Sequence, residues 1–263
     1  MHKLQRQQLI LDQVTDSGFV TLNSLREQTA ASLPTLRRDV NQLAELGKVL
    51  RCHGGVKELP DREPGKLAGA KFEFSNTVKL LEKQAIAAYA ASLVDDGDSI
   101  IINGGSTTFQ MVHYLKTTRL DVLTNSLFVA NYMFEHSLSR LHVPGGEIYR
   151  DQHLILSPFE DGTIRNFHAS KMFVGAQAVR KSGALEVDPR LIQSERKLMR
   201  QAEQLILCVD SSKFDQPGSL ILAELDAFDL IITDDRLSTE AQAWLKDSGA
   251  SMKIVVVGSA LAV

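Results

Sequence analysis

Asn103-Gly104-Gly105-Ser106-Thr107-Thr108 is the run of residues in this chain best suited to hold an anion. Two glycines let a backbone turn tightly, and the hydroxyls of Ser106, Thr107 and Thr108 would meet the free N–H groups of a helix start at one point, which favours phosphate. A Gly-Gly-Ser-Thr run is also an ordinary turn and cap. Neither the lysine spacing of a P-loop nor a GxGxxG follows it, so a nucleotide is not expected there. Two more polar or Gly-rich runs, Thr124-Asn125-Ser126 and Pro144-Gly145-Gly146-Glu147, also follow apolar stretches. Lys213, beyond the apolar run 205–209, would present a cation to a bound phosphate or carboxylate. Glu195 and Lys197, two apart on one helix, read in isolation as solvent-facing charges.

A different chemistry, contact with a polyanion, is suggested by residues 32–56, SLPTLRRDVNQLAELGKVLRCHGGV. Leu33, Leu36, Val40 and Leu43 recur at the spacing of a helix with one buried stripe. Ser32 is placed to cap that helix, and Pro34 falls in its first turn, where no N–H is needed. At 100° per residue, Pro34, Arg38, Asn41 and Gln42 take the face opposite the stripe, with Thr35 and Arg37 on its flanks. Cations for phosphates and forked donors for base edges suit a DNA major groove. Asp39 falls near the buried edge, so it is expected to pair with a neighbouring helix. Gly47 should end the helix, Lys48 to Arg51 alternate as a strand does, and His53-Gly54-Gly55 supplies a tight turn into a return strand from Val56.

The elements that must position these residues follow from periodicity. Residues 3–16 predict a first helix with Leu4, Leu9, Ile10 and Val14 inward, Phe19-Val20 a short extended piece, and Thr21 the cap of a second helix running to about Ala30. Helix, short strand, helix, turn, helix, wing is the winged helix-turn-helix order. Pro60, Pro64 and Gly65 break both patterns, so the expected domains are 1–58, a linker over 59–76, and 77–263. From Val78 onward, helices alternate with apolar runs at 99–102, 121–123, 141–143, 171–174, 205–209, 230–232 and 253–257. That alternation predicts an α/β fold with a mostly parallel sheet covered on both faces. In such a sheet ligands bind beyond the carboxyl ends of the strands, where the three polar loops fall.

Ser32, Thr35, Arg37-Arg38-Asp39, Leu43, Gly47, Arg51 and His53-Gly54-Gly55 together resemble the signature of the DeoR family of bacterial transcriptional regulators. Residues 82–108, Thr124-Asn125-Ser126, Gly145-Gly146, Phe173-x-Gly175, Glu195-x-Lys197 and Val209 to Phe214 are similar to the sensor domain of the same family. Asn103, where the family more often has Asp, and Ala178, where a second glycine often follows Gly175, depart from it. The resemblance implies that Arg37 and Arg38 contact operator DNA and that 51–56 form the wing. It also implies a sensor resembling the ribose-5-phosphate isomerase and CoA-transferase superfamily and responding to phosphorylated sugars. Effector contacts then fall to Gly105, Ser106, Thr107, Asn125, Gly145 and Gly146, with Asp188, Glu195 and Lys213 nearby. Residues 130–132 and 154–158 resemble the branch that contains the ascorbate-utilisation repressor.

Composition agrees with a divided chain. Formal charge is −3 overall, but residues 1–60 carry eight Lys and Arg against six Asp and Glu, leaving the excess acid to the rest. Cys52 and Cys208 fall in separate domains without metal-ligand spacing, so a reducing cytoplasm, no disulfide and no metal or other cofactor are expected. No signal-peptide pattern and no run of eighteen apolar residues is present, which points away from a membrane partner.

The expected function is a repressor of a carbohydrate operon. Phosphate contacts would come from Arg37, Arg38, Arg51 and Lys48, base contacts from Thr35, Arg38 and Asn41, and support from Ser32 and His53. Its partners would be double-stranded operator DNA, a sugar phosphate held by the 105–108 loop and its companions, and further copies of itself in a dimer or tetramer. The alternative is a sugar-phosphate isomerase with a DNA-binding appendage, using Glu195 and Lys213 as an acid/base pair.

Overall fold

In the N-terminal unit, Ile10, Val14, Val20, Leu25, Leu36, Val40, Leu43, Val49 and Val56 are buried in one cluster. The structure, a computed structural model, describes residues 2–17, 19–45, 48–52, 55–57, 72–157 and 162–258. The cluster is assembled by α1 (Lys3–Ser17), β1 (Phe19–Thr21), α2 (Leu22–Thr29), α3 (Leu33–Glu45), β2 (Leu50–Cys52) and β3 (Gly55–Lys57). Each such side chain contributes about 1.5–3 kcal/mol on burial, so nine of them are what hold so small a unit together. The Thr21 hydroxyl accepts from the backbone N–H of Ser24 at 3.1 Å and caps α2. Ala30, at φ 53°, ends it in the left-handed region and turns the chain toward α3. Leu4 is 71% exposed, so the inward stripe of α1 starts later than its periodicity predicts.

The three strands form one antiparallel sheet in the order β1-β3-β2. Gly55 is required there by sterics, since a Cβ would lie 2.5 Å from the Val20 carbonyl oxygen of the neighbouring strand. The expected turn residues His53 and Gly54, and the expected helix stop at Gly47, lie outside the described residues.

Met1–Lys66 and Leu67–Val263 form two compact units. Most of the expected linker, 59–71, also lies outside the described residues, and its last five positions belong to a helix, α4 (Phe72–Thr77). The chain continues through α5 (Leu80–Ala91), β4 (Ser99–Ile102), α6 (Ser106–Phe109), β5 (Asp121–Leu123), α7 (Leu127–His136), β6 (Arg140–His142), β7 (Glu147–Tyr149), β8 (Leu154–Leu156) and β9 (Ala169–Val174). It ends with β10 (Ala178–Arg180), β11 (Gly183–Glu186), α8 (Pro189–Met199), β12 (Ala202–Cys208), β13 (Leu220–Ala223), β14 (Leu230–Asp234), α9 (Thr239–Asp247) and β15 (Met252–Val255).

Seven of these strands make one wholly parallel sheet in the order β15-β14-β12-β9-β4-β5-β6. Alternate residues face two separate cores. Ile101, Met172, Leu207 and Ile231 meet α8, α9 and the small sheet β10-β11-β13, whereas Ile100, Ile102, Phe173 and Ile206 meet α5 and α7. From β4 the chain runs outward to β5 and β6, then returns to β9 on the other side of β4. The opposed connections open a crevice between the carboxyl ends of β4 and β9, where an open α/β sheet places its ligand. The antiparallel pair β7-β8 and the sheet β10-β11-β13 were not predicted, because three- and four-residue strands carry too little alternation to read.

Candidate functional site

The crevice between β4 and β9 holds a cavity whose floor is Asn103, Gly104, Gly105, Ser106 and Thr107. Gly175 from the end of β9 and Lys213 beyond β12 border it, while Glu186 and Glu195 bring carboxyl groups from β11 and α8. Asn125, from the next strand end, shapes the floor without lining it: its Oδ1 accepts from the backbone N–H of Gly104 at 3.0 Å. The Thr108 hydroxyl donates to the carbonyls of Asn103, at 2.8 Å, and Gly105, at 3.0 Å, so it locks the loop and is not offered to a ligand.

The two glycines act differently from the expectation. Neither Gly104 nor Gly105 has a positive φ. Gly104 is needed because a Cβ would lie 1.8 Å from Leu154 Cδ2, on β8. The helix that follows, α6, has only four residues before the chain tightens into a 3-10 turn, so its dipole is small and an anion must rely on local N–H and hydroxyl groups.

Burial decides the character of the carboxyls. Glu195 is 3% exposed, and its Oε1 accepts from Asn103 Nδ2 at 2.8 Å, while its Oε2 has no hydrogen-bond partner in the protein. Burial first, and the charge of Glu186 second, push its carboxyl well above the usual carboxylate range against the hydrogen bond from Asn103, a shift that favours the protonated, donor form. Burial likewise raises Glu186 to about 7, although Lys213 and the N–H of Gln177 oppose the shift. Lys197, paired with Glu195 in sequence, is also buried, donating to the Ser157 carbonyl at 3.0 Å. The solvent-facing reading of that pair is therefore corrected: the amphipathic turn of α8 faces inward at both positions.

Three of the anticipated effector residues lie elsewhere. Asp188 caps α8, accepting from the N–H of Arg190 at 2.9 Å and from its guanidinium at 2.7 Å, and does not line the cavity. Gly145 and Gly146 do not line it either. A Cβ at Gly146 would lie 2.1 Å from the Leu156 carbonyl oxygen, so this glycine serves the β7-β8 approach. Glu186, Leu154, Leu191 and Phe72 line the cavity though none was anticipated as a site residue: Glu186 sits on an unpredicted strand, and Phe72 falls in the expected linker.

In the N-terminal unit, Arg37, Arg38 and Lys48 are exposed, and Thr35 and Asn41 are half-buried. Asp39 is buried and takes the Arg6 Nε–H of α1 at 2.6 Å, which fixes α3 against α1 with its arginines outward. Gln42, placed on the free face by its spacing, instead accepts from Gln7 of α1 at 3.1 Å. The Ser32 Oγ takes the N–H of Thr35 at a long 3.4 Å and lies 2.8 Å from its hydroxyl. Arg51 stands on β2, and His53 is outside the described residues.

A winged helix presenting two exposed arginines on α3, joined to an α/β unit with a polar cavity at its strand ends, defines a DNA-binding regulator with a sensor domain. The chain belongs to the DeoR family: the DeoR-like helix-turn-helix domain matches residues 6–60 and the DeoR C terminal sensor domain residues 79–235. It is 29% identical over 96% of its length, and 99% of the relative's, to the HTH-type transcriptional regulator UlaR of Salmonella arizonae. The UlaR regulators of Shigella flexneri serotype 5b and Escherichia coli O1:K1 are each 28% identical over the same shares. Its relatives are thus named as regulators, and the enzyme alternative is not carried further.

Among solved structures, ribose 5-phosphate isomerase A from Methanocaldococcus jannaschii is similar over 50% of this chain and 53% of its own, at 17% identity and a TM-score of 0.38. The delta subunit of eIF2B from Chaetomium thermophilum is similar over 60% and 57%, at 15% identity and 0.42. The chain therefore spans little more than half of either. Among the described residues no helix is long and apolar enough to cross a membrane, and no group of His, Cys, Asp and Glu is arranged to hold a metal.

Proposed function

We propose that this regulator represses a carbohydrate-utilisation operon and that a phosphorylated sugar in the β4–β9 cavity controls its hold on operator DNA. One observation carries the reading. The same cavity joins an anion-suited loop, Gly105 to Thr107, and the cation Lys213 to a buried acid, Glu195, whose second oxygen has no partner. Such a site matches a ligand with a charged group at one end and oxygen acceptors at the other. The proposal includes a place near the ascorbate-utilisation branch, which similarity to the UlaR regulators supports.

On the DNA side, Arg37, Arg38, Arg51 and Lys48 hold phosphates, and Thr35, Arg38 and Asn41 read bases. One winged helix offers a small interface, so the protein works as a homo-oligomer, a dimer or tetramer, on repeated half-sites. The effector acts only through a difference in its affinity for the DNA-competent and incompetent states.

Thermal-shift screening of pentose and hexose monophosphates tests the ligand class, with a stabilising shift expected for at least one. Ser106→Glu, which puts a like charge into the loop, is expected to abolish both that shift and the effector response of a reporter strain. A normal response in the Ser106→Glu strain would overturn the assignment of the cavity.

A further inference from the structure

Helix α4 lies between the two family matches, which cover 6–60 and 79–235, and neither of them includes it. It nevertheless supplies part of the cavity wall through Phe72 and Ser75, beside the 104–107 loop. A helix of six residues is not stable by itself, so its place is set by what it touches. Lys83 of α5 donates to the Ser75 carbonyl at 2.5 Å, and Gln110 donates to Asn76 Oδ1 at 2.8 Å. The Phe72 ring stacks on Phe128 with centroids 4.4 Å apart and meets Phe109 edge-on at 5.7 Å. Lys83 is 3% exposed, so a buried ammonium group is committed to holding one carbonyl of this short helix. With that carbonyl occupied, Ser75 brings its hydroxyl and Phe72 its ring to the cavity wall.

We propose that α4 is the specificity wall of the effector site: Ser75 bonds a hydroxyl of the ligand's carbon skeleton and Phe72 packs against that skeleton, while the 104–107 loop holds the anionic group. The proposal rests on the reading of the cavity as a sugar-phosphate site. It has a consequence for regulation. The chain enters the sensor unit through α4, the first described element after residues 58–71. A ligand that fixes α4 therefore fixes the described element of the sensor unit nearest in sequence to the DNA-binding unit.

The test is hydrogen exchange read by mass spectrometry on the full chain, with ribose 5-phosphate and other pentose and hexose monophosphates, and inorganic phosphate as the skeleton-free reference. A sugar phosphate that slows exchange over 103–108 should also slow it over 72–77, and inorganic phosphate should slow only 103–108. Ser75→Ala, which leaves the Lys83 contact to the main chain in place, should weaken the sugar phosphate roughly two- to tenfold, as losing one neutral hydrogen bond does, and leave inorganic phosphate binding unchanged. Phe72→Leu, which keeps an apolar side chain in the aromatic cluster, should weaken the same ligand. Protection of 103–108 by a sugar phosphate with 72–77 unchanged, or unaltered binding in Ser75→Ala, would overturn the role of α4 alone. Failure of every compound to protect 103–108 would overturn the reading of the cavity and this proposal together.

Discussion

The Asn103 side-chain amide and the Glu195 carboxyl, 92 positions apart in the chain, join at 2.8 Å on the inner wall of the cavity, where β4 ends and α8 passes over it. The bond ties the anion-suited loop to a carboxyl that lines the same cavity. Asn103→Ala leaves Glu195 buried without its donor and should cost about 1–3 kcal/mol of unfolding free energy in urea. Glu195→Gln keeps the volume and removes the acid, so it should be no less stable than the parent. An Asn103→Ala protein as stable as the parent would show that the contact does not anchor the loop.

Gly104 and Leu154 form a second long-range pair. Gly104→Ala should lower stability by about 1–3 kcal/mol through overpacking, since Leu154 is itself buried and has little room to withdraw. Adding Leu154→Ala should cost less in that background than in the parent, because it relieves the clash. Equal costs in a double-mutant cycle would mean the two sites are not coupled.

On α3 two neighbouring charges should separate folding from recognition. Arg38→Ala removes an exposed side chain and should cost about 1–3 kcal/mol of operator binding with unfolding unchanged. Asp39→Ala removes the buried carboxylate that Arg6 bonds and should destabilise the N-terminal unit by roughly 3 kcal/mol. Gel-shift titration at several salt concentrations, beside thermal unfolding, distinguishes them; an Arg38→Ala protein with parental affinity would remove that residue from the interface.

Stability should also respond to pH in two opposite windows. Glu186 rises from 4.5 to about 7 in the folded state, chiefly through burial, so between those values the folded protein holds the extra proton and stability falls as pH rises. Lys83 drops from 10.5 to about 8, again chiefly through burial. From about 8 to 10.5 the unfolded chain holds the extra proton, so stability rises with pH. Each window is worth up to about 3 kcal/mol. Glu186→Gln should flatten the first and Lys83→Met the second in denaturation series across pH. Parallel curves for parent and variants would contradict the burial of these groups.

Much of the architecture is legible in residue order because burial of one face imposes a period. Leu36, Val40 and Leu43 repeat as a buried helix stripe must, and Ile100 to Ile102 and Leu205 to Val209 run apolar as central parallel strands do when both faces are covered. Local chemistry is legible too: Thr21 caps its helix, and the helical spacing of Asp39 puts it at the buried edge, where it meets a neighbouring helix. What the order of residues leaves open is which distant groups share a space. Leu4 and Gln42 fit their helical patterns, yet only the packing of α1 against α3 exposes the one and bonds the other. Gly145 and Gly146 resemble a binding loop as much as Gly104 and Gly105 do. The return of the chain from β6 to β9 puts the crevice beside the second pair alone. Helix α4, Leu154 and Glu186 enter that crevice from elements too short to read, because contacts between residues far apart in the chain leave no periodic trace in it.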